Sequence, residues 1–203
     1  MIGTLNDLTT SGDRIRKIEA VLSGSLSFIF NNFDSSSSFS AIVREAREKG
    51  YTEPDPREDL GGFDVRRKLV ILAREAGIPL EPEQVDITPI LPAACREAAD
   101  VDAFFAELEK ADDHFTSLVR QAEEESQVLR MVGTLDGSEA RIALEAVDST
   151  HPFYTLSGSD NMIVFTTDRY HERPLVVRGP GAGAEVTAAG VFAEIISIAN
   201  YLS

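Results

Sequence analysis

The sequence predicts an α+β fold, in which a mixed and partly antiparallel sheet carries helices packed on one of its faces. Four short strand-like runs follow one another within residues 126–179, and turn signals separate them at Asp136-Gly137, Ser157-Gly158 and Glu172-Arg173. Adjacent short strands favour antiparallel pairing, and the other segments lack the regular alternation of a parallel α/β sheet. At 203 residues, the chain is long enough for one domain with one hydrophobic core.

The chain opens its regular structure with a strand and a buried helix. Residues 14–22, RIRKIEAVL, are rich in β-branched side chains and predict the strand. Ser23-Gly24-Ser25 interrupts the run, and LSFIFNNF at 26–33 predicts the helix. A polar connection, DSSSS, then leads away from it.

Two further helices are predicted around a proline-rich loop. The first covers Phe39–Lys49 and is closed by Gly50 in the C′ position. The second runs from about Gly62 to Ala76, and Gly77 and Pro79 end it.

The second half of the chain contains most of the predicted strands. VDITPIL at 85–91 predicts a short strand. Residues Val101–Glu125 predict one long acidic amphipathic helix, with these side chains facing inward: Phe104, Phe105, Leu108, Phe115 and Leu118. The four strand-like runs are SQVLRMVGTL, ARIALEAVD, NMIVFTTD and PLVVRG. A final helix is predicted from about Ala184 to Leu202.

The overall charge excludes some classes of partner. The formal net charge is −15, which argues against nucleic acid or an anionic membrane as the main partner, because both attract a basic face. We see no apolar run that approaches the roughly 18 residues of a membrane-spanning helix. The first residues, MIGTLNDLTT, lack the basic and apolar regions of a secretory signal, so we expect a cytoplasmic protein.

Cysteine and histidine offer little chemistry in this sequence. The single cysteine, Cys95, cannot form an internal disulfide, and the histidines are scattered without a pair at metal-ligand spacing. We expect Cys95 to be a buried or half-buried structural side chain and expect no histidine-based metal site.

An acidic loop followed by a basic helix, YTEPDPREDLGGFDVRRK at 51–68, is the first candidate site. At about 100° per residue, one apolar stripe on the helix contains Val65, Leu69, Leu72 and Ala76. Asp64 and Lys68 lie four residues apart and stack together on its flank. The arginines are predicted on the far side: Arg66, Arg67 and Arg74. The helical spacing therefore predicts that Lys68 lies partly desolvated beside the Asp64 carboxylate.

Three interpretations of this cluster stay open. The pair can be an exposed ion pair worth about 0.3–0.5 kcal/mol, with the loop acids serving as turn and N-cap residues. Those loop acids are Glu53, Asp55, Glu58 and Asp59. Alternatively, a stiff acidic loop beside a half-buried Asp/Lys pair binds an ammonium group and transfers a proton. A carboxylate site would instead hold Mg²⁺, although the central lysine argues against that ion.

Two strand-to-helix junctions are rich in small residues. RGPGAGAEV at 178–186 lets the backbone approach a ligand, and the following helix offers free N–H groups to an anion. Its spacing is GxGxG, which differs from the dinucleotide-binding pattern GxGxxG. LSGSLS at 22–27 likewise offers backbone amides and a hydroxyl from Gly24 and Ser25. Each junction is also compatible with a plain tight turn.

Taken in order, these segments resemble homoserine dehydrogenase. The residues that carry the resemblance are GD at 12–13, IEAVLSGSLSFIFNNF, GYTEPDPREDLGGFDVRRKLVILAREAG and GPGAGAEVTAAGVFAEI. The chain is similar to the substrate-binding and dimerisation region, most of all in the version fused behind an aspartate kinase. The resemblance covers residues 1–203 as one catalytic domain and is thin between about 96 and 146. It implies an NAD(P)-dependent homodimer that interconverts L-aspartate 4-semialdehyde and L-homoserine in threonine, methionine and isoleucine biosynthesis.

The resemblance also implies roles for individual residues in the acidic loop and helix. Glu53 matches the family's substrate-binding glutamate. Asp59 and Asp64 match its substrate-site aspartates. Lys68 matches its acid/base lysine, with Asp64 as its catalytic neighbour. Acidic neighbours favour the ammonium form of Lys68 and burial favours the neutral amine, and the sequence does not decide between them.

The glycine-rich junctions match two further parts of the family's site. Gly24 and Ser25 match a glycine and a threonine that line the substrate site, and serine keeps the hydroxyl. Gly181 and Gly183 match the segment that touches the nicotinamide cofactor.

Some parts that the resemblance implies are not in this sequence. They are a Rossmann domain with GxGxxG, a monovalent-cation-binding segment and a second catalytic lysine. We therefore interpret the chain as a fragment that is inactive alone, and expect helix 184–202 to pack on the nucleotide-binding domain. Whether the cofactor is NAD or NADP is not decided. Two other functions stay open: a dimerisation module that pairs through 127–179, and a carboxylate-based Mg²⁺ enzyme.

Overall fold

The structure is a computed structural model that describes residues 1–202. Within that range the α-helices are α1 (Ile2–Thr10), α2 (Gly24–Asn32), α3 (Phe39–Glu48), α4 (Arg57–Leu60), α5 (Phe63–Glu75), α6 (Ala93–Arg96), α7 (Val101–Lys110), α8 (Asp112–Glu124) and α9 (Ala184–Leu202). Short 3₁₀ turns lie at Pro82–Gln84 and Pro152–Thr155.

One mixed sheet forms the centre of the domain. Its strands are β1 (Ile15–Val21), β2 (Val85–Ile87), β3 (Val128–Asp136), β4 (Glu139–Val147), β5 (Asp160–Thr167) and β6 (Leu175–Pro180). They lie in the order β2-β4-β3-β1-β5-β6. Every neighbouring pair is antiparallel except β2 and β4, which are parallel. The predicted α+β class, with a mixed and partly antiparallel sheet, is confirmed.

Helices cover one face of this sheet and form the main core. Helix α5 packs across β3, where a Cβ on Gly133 would lie only 3.3 Å from the Val65 side chain. Val65 and Leu69 are fully buried there, as the helical phase of the sequence predicts. The close approach of α5 to the sheet sets the direction in which its polar flank points.

The opposite face carries a smaller apolar cluster under the turn at Pro152–Thr155. Phe153 packs there with Val21, Val132 and Met162. Beside this cluster, Glu19 is partly buried and its carboxylate lies 2.8 Å from the ammonium of Lys17 and 3.7 Å from the ring of His151. The contacts with His151 and Lys17 outweigh burial and lower the pKa of Glu19 to about 2.

The predicted single helix over Val101–Glu125 is wrong, because the chain breaks it at Ala111. The side chain of Asp112 accepts hydrogen bonds from the backbone N–H and the hydroxyl of Ser40, at 2.8 and 2.6 Å. Phe115 stacks on Phe39 with ring centroids 3.9 Å apart. These contacts to α3 hold the start of α8 in place.

The C-terminal helix α9 has the bounds that the sequence predicts, and none of its 19 residues is buried. Its length and composition are sufficient for a membrane-spanning helix, which corrects the expectation that no run in the chain is long and apolar enough. Only the length and the composition of α9 point to a membrane-spanning helix. The core helix of a soluble protein has the same two properties.

Candidate active site

A cleft of about 860 Å³ opens where the first turns of α2 and α5 meet the loop at 51–59, the start of β5 and the turn that follows β6. The cleft lies within the usual size range of small-molecule sites. It brings together all eight site residues that the sequence predicts: Gly24, Ser25, Glu53, Asp59, Asp64, Lys68, Gly181 and Gly183. Residues separated by more than 150 positions thus share one concave surface.

Lys68 is held by two acceptors inside this cleft. Its Nζ donates to Asp64 Oδ2 at 2.7 Å and to the carbonyl oxygen of Leu22 at 2.8 Å. Asp64 lies in the first turn of α5, which begins after Gly62 in the left-handed conformation at φ 72°. The Lys68 side chain is 40% exposed. A lysine ammonium has three N–H donors, so one donor remains for a ligand in the cleft.

A chain of hydrogen bonds organises the acidic loop against α2. The Asp59 carboxylate accepts the hydroxyl of Ser25 at 2.7 Å and the backbone N–H of Glu53 at 2.9 Å. The hydroxyls of Ser23 and Ser25 lie 2.8 Å apart, and Ser23 also caps α2 by accepting from the N–H of Leu26. Since both oxygens of Asp59 are used internally, this residue positions its neighbours.

Glu53, like Glu58, has a loop carboxylate that lines the cleft and is free among residues 1–202. It is exposed, and among residues 1–202 its side chain has no hydrogen bond or ion pair. The backbone around it is held by the Asp59 bond, and nearby Arg57 pairs with Asp55 at 2.6 Å while donating to the carbonyl oxygen of Ala98. The hydrogen bond from Arg57 lowers the pKa of Asp55. Asp55 therefore stabilises the loop, whereas the carboxylates of Glu53 and Glu58 are available to a ligand.

The predicted separation of Lys68 from the arginines is correct only for Arg74, which donates to Leu80 and Glu81 outside the cleft. Arg66 and Arg67 line the same cleft as Lys68. Arg66 lies over the ring of Phe63, 5.3 Å from its centroid, and Arg67 reaches within 3.9 Å of Asp64. The side chains are long enough to bring their guanidinium groups around the helix, which a helical wheel built on Cα positions does not show.

The glycine-rich turn closes the side of the cleft beyond β6. Gly183 has φ 126°, a conformation that favours glycine, and α9 starts immediately after it. Gly181 lies against Asn161, the second residue of β5, which also lines the cleft and which the sequence analysis missed. A single asparagine at the start of a strand gives no signal of such a position.

The other side chains considered for chemistry lie elsewhere. Cys95 is fully buried, and burial raises the pKa of its thiol. In the part of the chain that the structure describes, no three His, Cys, Asp or Glu side chains are grouped so that they could hold a metal ion.

The structure is an α+β domain whose cleft contains a lysine ammonium, free carboxylates and a glycine-rich turn. The family model for homoserine dehydrogenase matches residues 1–196, and the chain belongs to that family.

Relatives agree with this assignment. A bifunctional aspartokinase/homoserine dehydrogenase 2, chloroplastic, from Zea mays is 49% identical over 100% of this chain and 22% of its own length. A homoserine dehydrogenase from Schizosaccharomyces pombe is 46% identical over 98% of this chain and 55% of its own. The chain thus spans about a fifth of the bifunctional relative and about half of the shorter one.

Solved structures share the fold. A Candida auris protein described as of unknown function has a TM-score of 0.92 and 42% identity, over 98% of this chain and 57% of that one. A homoserine dehydrogenase from Thiobacillus denitrificans has a TM-score of 0.77 and 25% identity, over 96% of this chain and 41% of that one.

Proposed function

We propose that this chain is the substrate-binding part of an NAD(P)-dependent homoserine dehydrogenase, which interconverts L-aspartate 4-semialdehyde and L-homoserine in amino-acid biosynthesis. The observation that carries the proposal is the arrangement around Lys68. Two acceptors fix its ammonium and leave one donor facing a cleft that also contains the unpaired carboxylate of Glu53. A proton donor and a partner for an amino group are what this substrate pair requires.

Lys68 supplies the proton in the reducing direction. As the aldehyde carbon is reduced, negative charge develops on its oxygen, and the free N–H of Lys68 stabilises that charge and transfers its proton to the oxygen. In the oxidising direction the neutral amine accepts the hydroxyl proton. Asp64 and the carbonyl oxygen of Leu22 keep the amine aimed at the reacting atom in both directions.

The ends of the substrate match the remaining groups of the cleft. Glu53 pairs with the α-ammonium group and so orients the carbon chain with its aldehyde towards Lys68. The first amides of α2, at Gly24 and Ser25, belong to the N–H groups that a helix leaves without an internal partner, and they suit the α-carboxylate. Arg66 and Arg67 add positive charge on the same wall.

The residues of the glycine-rich turn fit a nicotinamide cofactor, which supplies the hydride when it is bound. Gly181 and Gly183 carry no side chain that would keep a flat ring from the backbone, and they edge the same cleft as Lys68. The site therefore accepts the two reactants side by side. The choice between NAD and NADP stays open, because its usual determinant belongs to a Rossmann domain.

We further propose that residues 1–203 are one catalytic domain and that α9 packs on a nucleotide-binding domain in the intact enzyme. The support is its composition, since α9 exposes large apolar side chains that include Val191, Phe192 and Ile195. We also propose a homodimer. The outer edge of β6 and the partly polar face of the sheet around Glu19 are surfaces that a second copy would cover.

The assignment of Lys68 is tested by Lys68→Ala in the full-length enzyme. We expect turnover to fall by roughly 10²–10⁴-fold while the Kd for the cofactor changes little, because the cofactor does not depend on the lysine for its affinity. Lys110→Ala is the control, since Lys110 is an exposed lysine in an ion pair with Glu107. Near-normal turnover in Lys68→Ala would remove the basis of the proposed mechanism.

A further inference from the structure

Asn161 has a buried polar atom that has no hydrogen-bond partner within residues 1–202. The residue is 5% exposed and lies on β5 with its side chain in the wall of the cleft. Its Nδ2 donates to the carbonyl oxygen of Leu22 at 3.1 Å. Its Oδ1 is buried and, among residues 1–202, has no hydrogen-bond partner. Buried amide oxygens are normally paired, so this one calls for an explanation.

The orientation of the Asn161 amide is fixed by the lysine beside it. The carbonyl oxygen of Leu22 accepts both the Asn161 Nδ2–H and the Lys68 Nζ–H, at 3.1 and 2.8 Å. A carbonyl oxygen has two lone pairs, so both are used. Rotating the amide by 180° would set Oδ1 against the Leu22 oxygen and lose a hydrogen bond. Oδ1 is therefore held on the side away from Leu22.

The same amide lies directly against the glycine-rich turn. A Cβ built on Gly181 would lie 2.0 Å from Asn161 Nδ2 and 2.6 Å from its Cγ, so only glycine fits without a shift of the asparagine. Asn161 thus contacts the support of Lys68 on one side and the turn at Gly181 on the other. Asn161 and Lys68 line the same cleft, so a molecule bound there lies near both residues.

We propose that Asn161 is a reactant-binding residue, whose Oδ1 accepts a hydrogen bond from an N–H donor of a molecule bound in the cleft. This inference rests on the proposed function. Two reactants carry such a donor: the α-ammonium of the amino-acid substrate and the carboxamide of a nicotinamide. Asp64 and the carbonyl oxygen of Leu22 already accept from Lys68, whereas Oδ1 has no partner among residues 1–202.

The inference is tested in the full-length enzyme with Asn161→Leu, which has a side chain of similar size and removes both Oδ1 and the Nδ2–H that donates to Leu22. The Kd for L-homoserine is measured by calorimetry, and the Kd for NADPH is measured separately by fluorescence. We expect one of the two to rise roughly tenfold or more, and the other to change less than about twofold. A rise for homoserine assigns the ammonium as the donor, and a rise for NADPH assigns the carboxamide.

Asn31 supplies a matched control. Its Nδ2 donates to the carbonyl oxygen of Gly158 at 2.8 Å and its Oδ1 is also buried without a partner among the described residues, but it does not line the cleft. We expect Asn31→Leu to leave both dissociation constants unchanged. Asn161→Ala, which cannot clash with Gly181, is the second variant if Asn161→Leu melts below the assay temperature.

Two results would overturn the inference. One is an unchanged Kd for both reactants in a folded Asn161 variant, and the other is an equal rise in both, which indicates general distortion of the cleft. Failure of the proposed function is separate, because it would show in the unsubstituted enzyme as an absence of binding and turnover of homoserine.

Discussion

Ser25 donates its hydroxyl hydrogen to Asp59 across a distance of 2.7 Å, and this bond joins the first turn of α2 to the acidic loop. The second oxygen of Asp59 accepts the N–H of Glu53, so one carboxylate sets the positions of two residues in the cleft. Asp59 acts through its neighbours in this arrangement, and its substitution has a distinct kinetic signature.

We expect Asp59→Ala to raise KM for homoserine by roughly tenfold or more with a smaller fall in kcat, because it releases the Glu53 loop and leaves Lys68 in place. Steady-state kinetics on the full-length enzyme measure the split. Ser25→Thr keeps the hydroxyl and should behave like the unsubstituted enzyme, whereas Ser25→Ala should show a milder form of the Asp59 effect. An equal loss in kcat for Asp59→Ala, with KM unchanged, would contradict a positioning role.

Glu53 is expected to recognise the substrate by charge. Glu53→Gln keeps the shape and removes the negative charge, so KM for homoserine should rise roughly 10–100-fold while the Kd for the cofactor stays the same. Glu48→Gln, at the end of α3 and outside the cleft, is the control. If both variants have the same KM as the unsubstituted enzyme, the ammonium group binds elsewhere.

The close contact at Gly181 makes a prediction about backbone space. Gly181→Ala places a methyl group into the Asn161 amide, so we expect a loss of activity and of about 1–3 kcal/mol in the free energy of unfolding. Gly190 lies in the middle of α9, and a Cβ atom added there would have no neighbouring atom within 4 Å. Gly190→Ala should therefore be neutral or stabilise the helix by up to about 1 kcal/mol. Thermal or denaturant unfolding of both variants measures the two changes in the free energy of unfolding. A larger loss for Gly190→Ala than for Gly181→Ala would contradict the prediction.

Arg130 is expected to be important for stability. It is 4% exposed and donates to the backbone carbonyl oxygens of Phe30, Leu129, Phe153 and Leu156 at 2.7–3.2 Å. Burial lowers the pKa of Arg130 to about 10, so the guanidinium keeps its charge at neutral pH. Arg130→Met removes the guanidinium donors from these buried carbonyl groups, and we expect a loss of about 3 kcal/mol or more in the free energy of unfolding.

Denaturant titration measures the loss in the free energy of unfolding that Arg130→Met causes. Arg120→Met, at an exposed position on α8, should change the free energy of unfolding by less than about 0.5 kcal/mol. Similar values for the two variants would show that the carbonyl contacts of Arg130 contribute little.

Glu19 predicts how the domain responds to acid. Its pKa is lowered from 4.5 to about 2 in the folded chain, so the stabilisation is complete above pH 4.5 and is lost as the pH falls towards 2. We expect this contribution to be on the order of 2–3 kcal/mol. In unfolding titrations between pH 7 and pH 2, Glu19→Gln should flatten the acid limb, whereas Glu139→Gln, at an exposed position, should not. Parallel acid limbs for all three proteins would exclude the role.

Most of the sheet and the pairing of Asp64 with Lys68 could be predicted from the sequence, because both depend on residues that are close together along the chain. Strand alternation and turn residues predicted β3 to β6, and helical spacing paired Asp64 with Lys68, which lie 2.7 Å apart. The role proposed for each residue came from the family resemblance and stays a prediction.

Long-range contacts account for what the sequence could not show. The break at Ala111 depends on the bonds between Asp112 and Ser40, which are 72 positions apart. Asn161 meets the Leu22 carbonyl only because β1 and β5 pair in one register, across 139 positions. Helix α1 was not predicted, since its nine residues carry only two buried leucines and no clear capping residue.

Helix α9 has a consequence for how the chain unfolds. A helix of 19 residues without buried side chains gains nothing from a core, and an isolated helix of this length is only marginally stable in water. It is joined to the sheet through the turn at Gly181 and Gly183, so fraying of α9 leaves the rest of the domain intact. Amide hydrogen exchange should therefore divide the chain into two cooperative units near Gly183, with slow exchange in the sheet and fast exchange in the helix. If amide exchange in α9 is slow instead, its apolar side chains are covered by a binding partner under the conditions of the measurement.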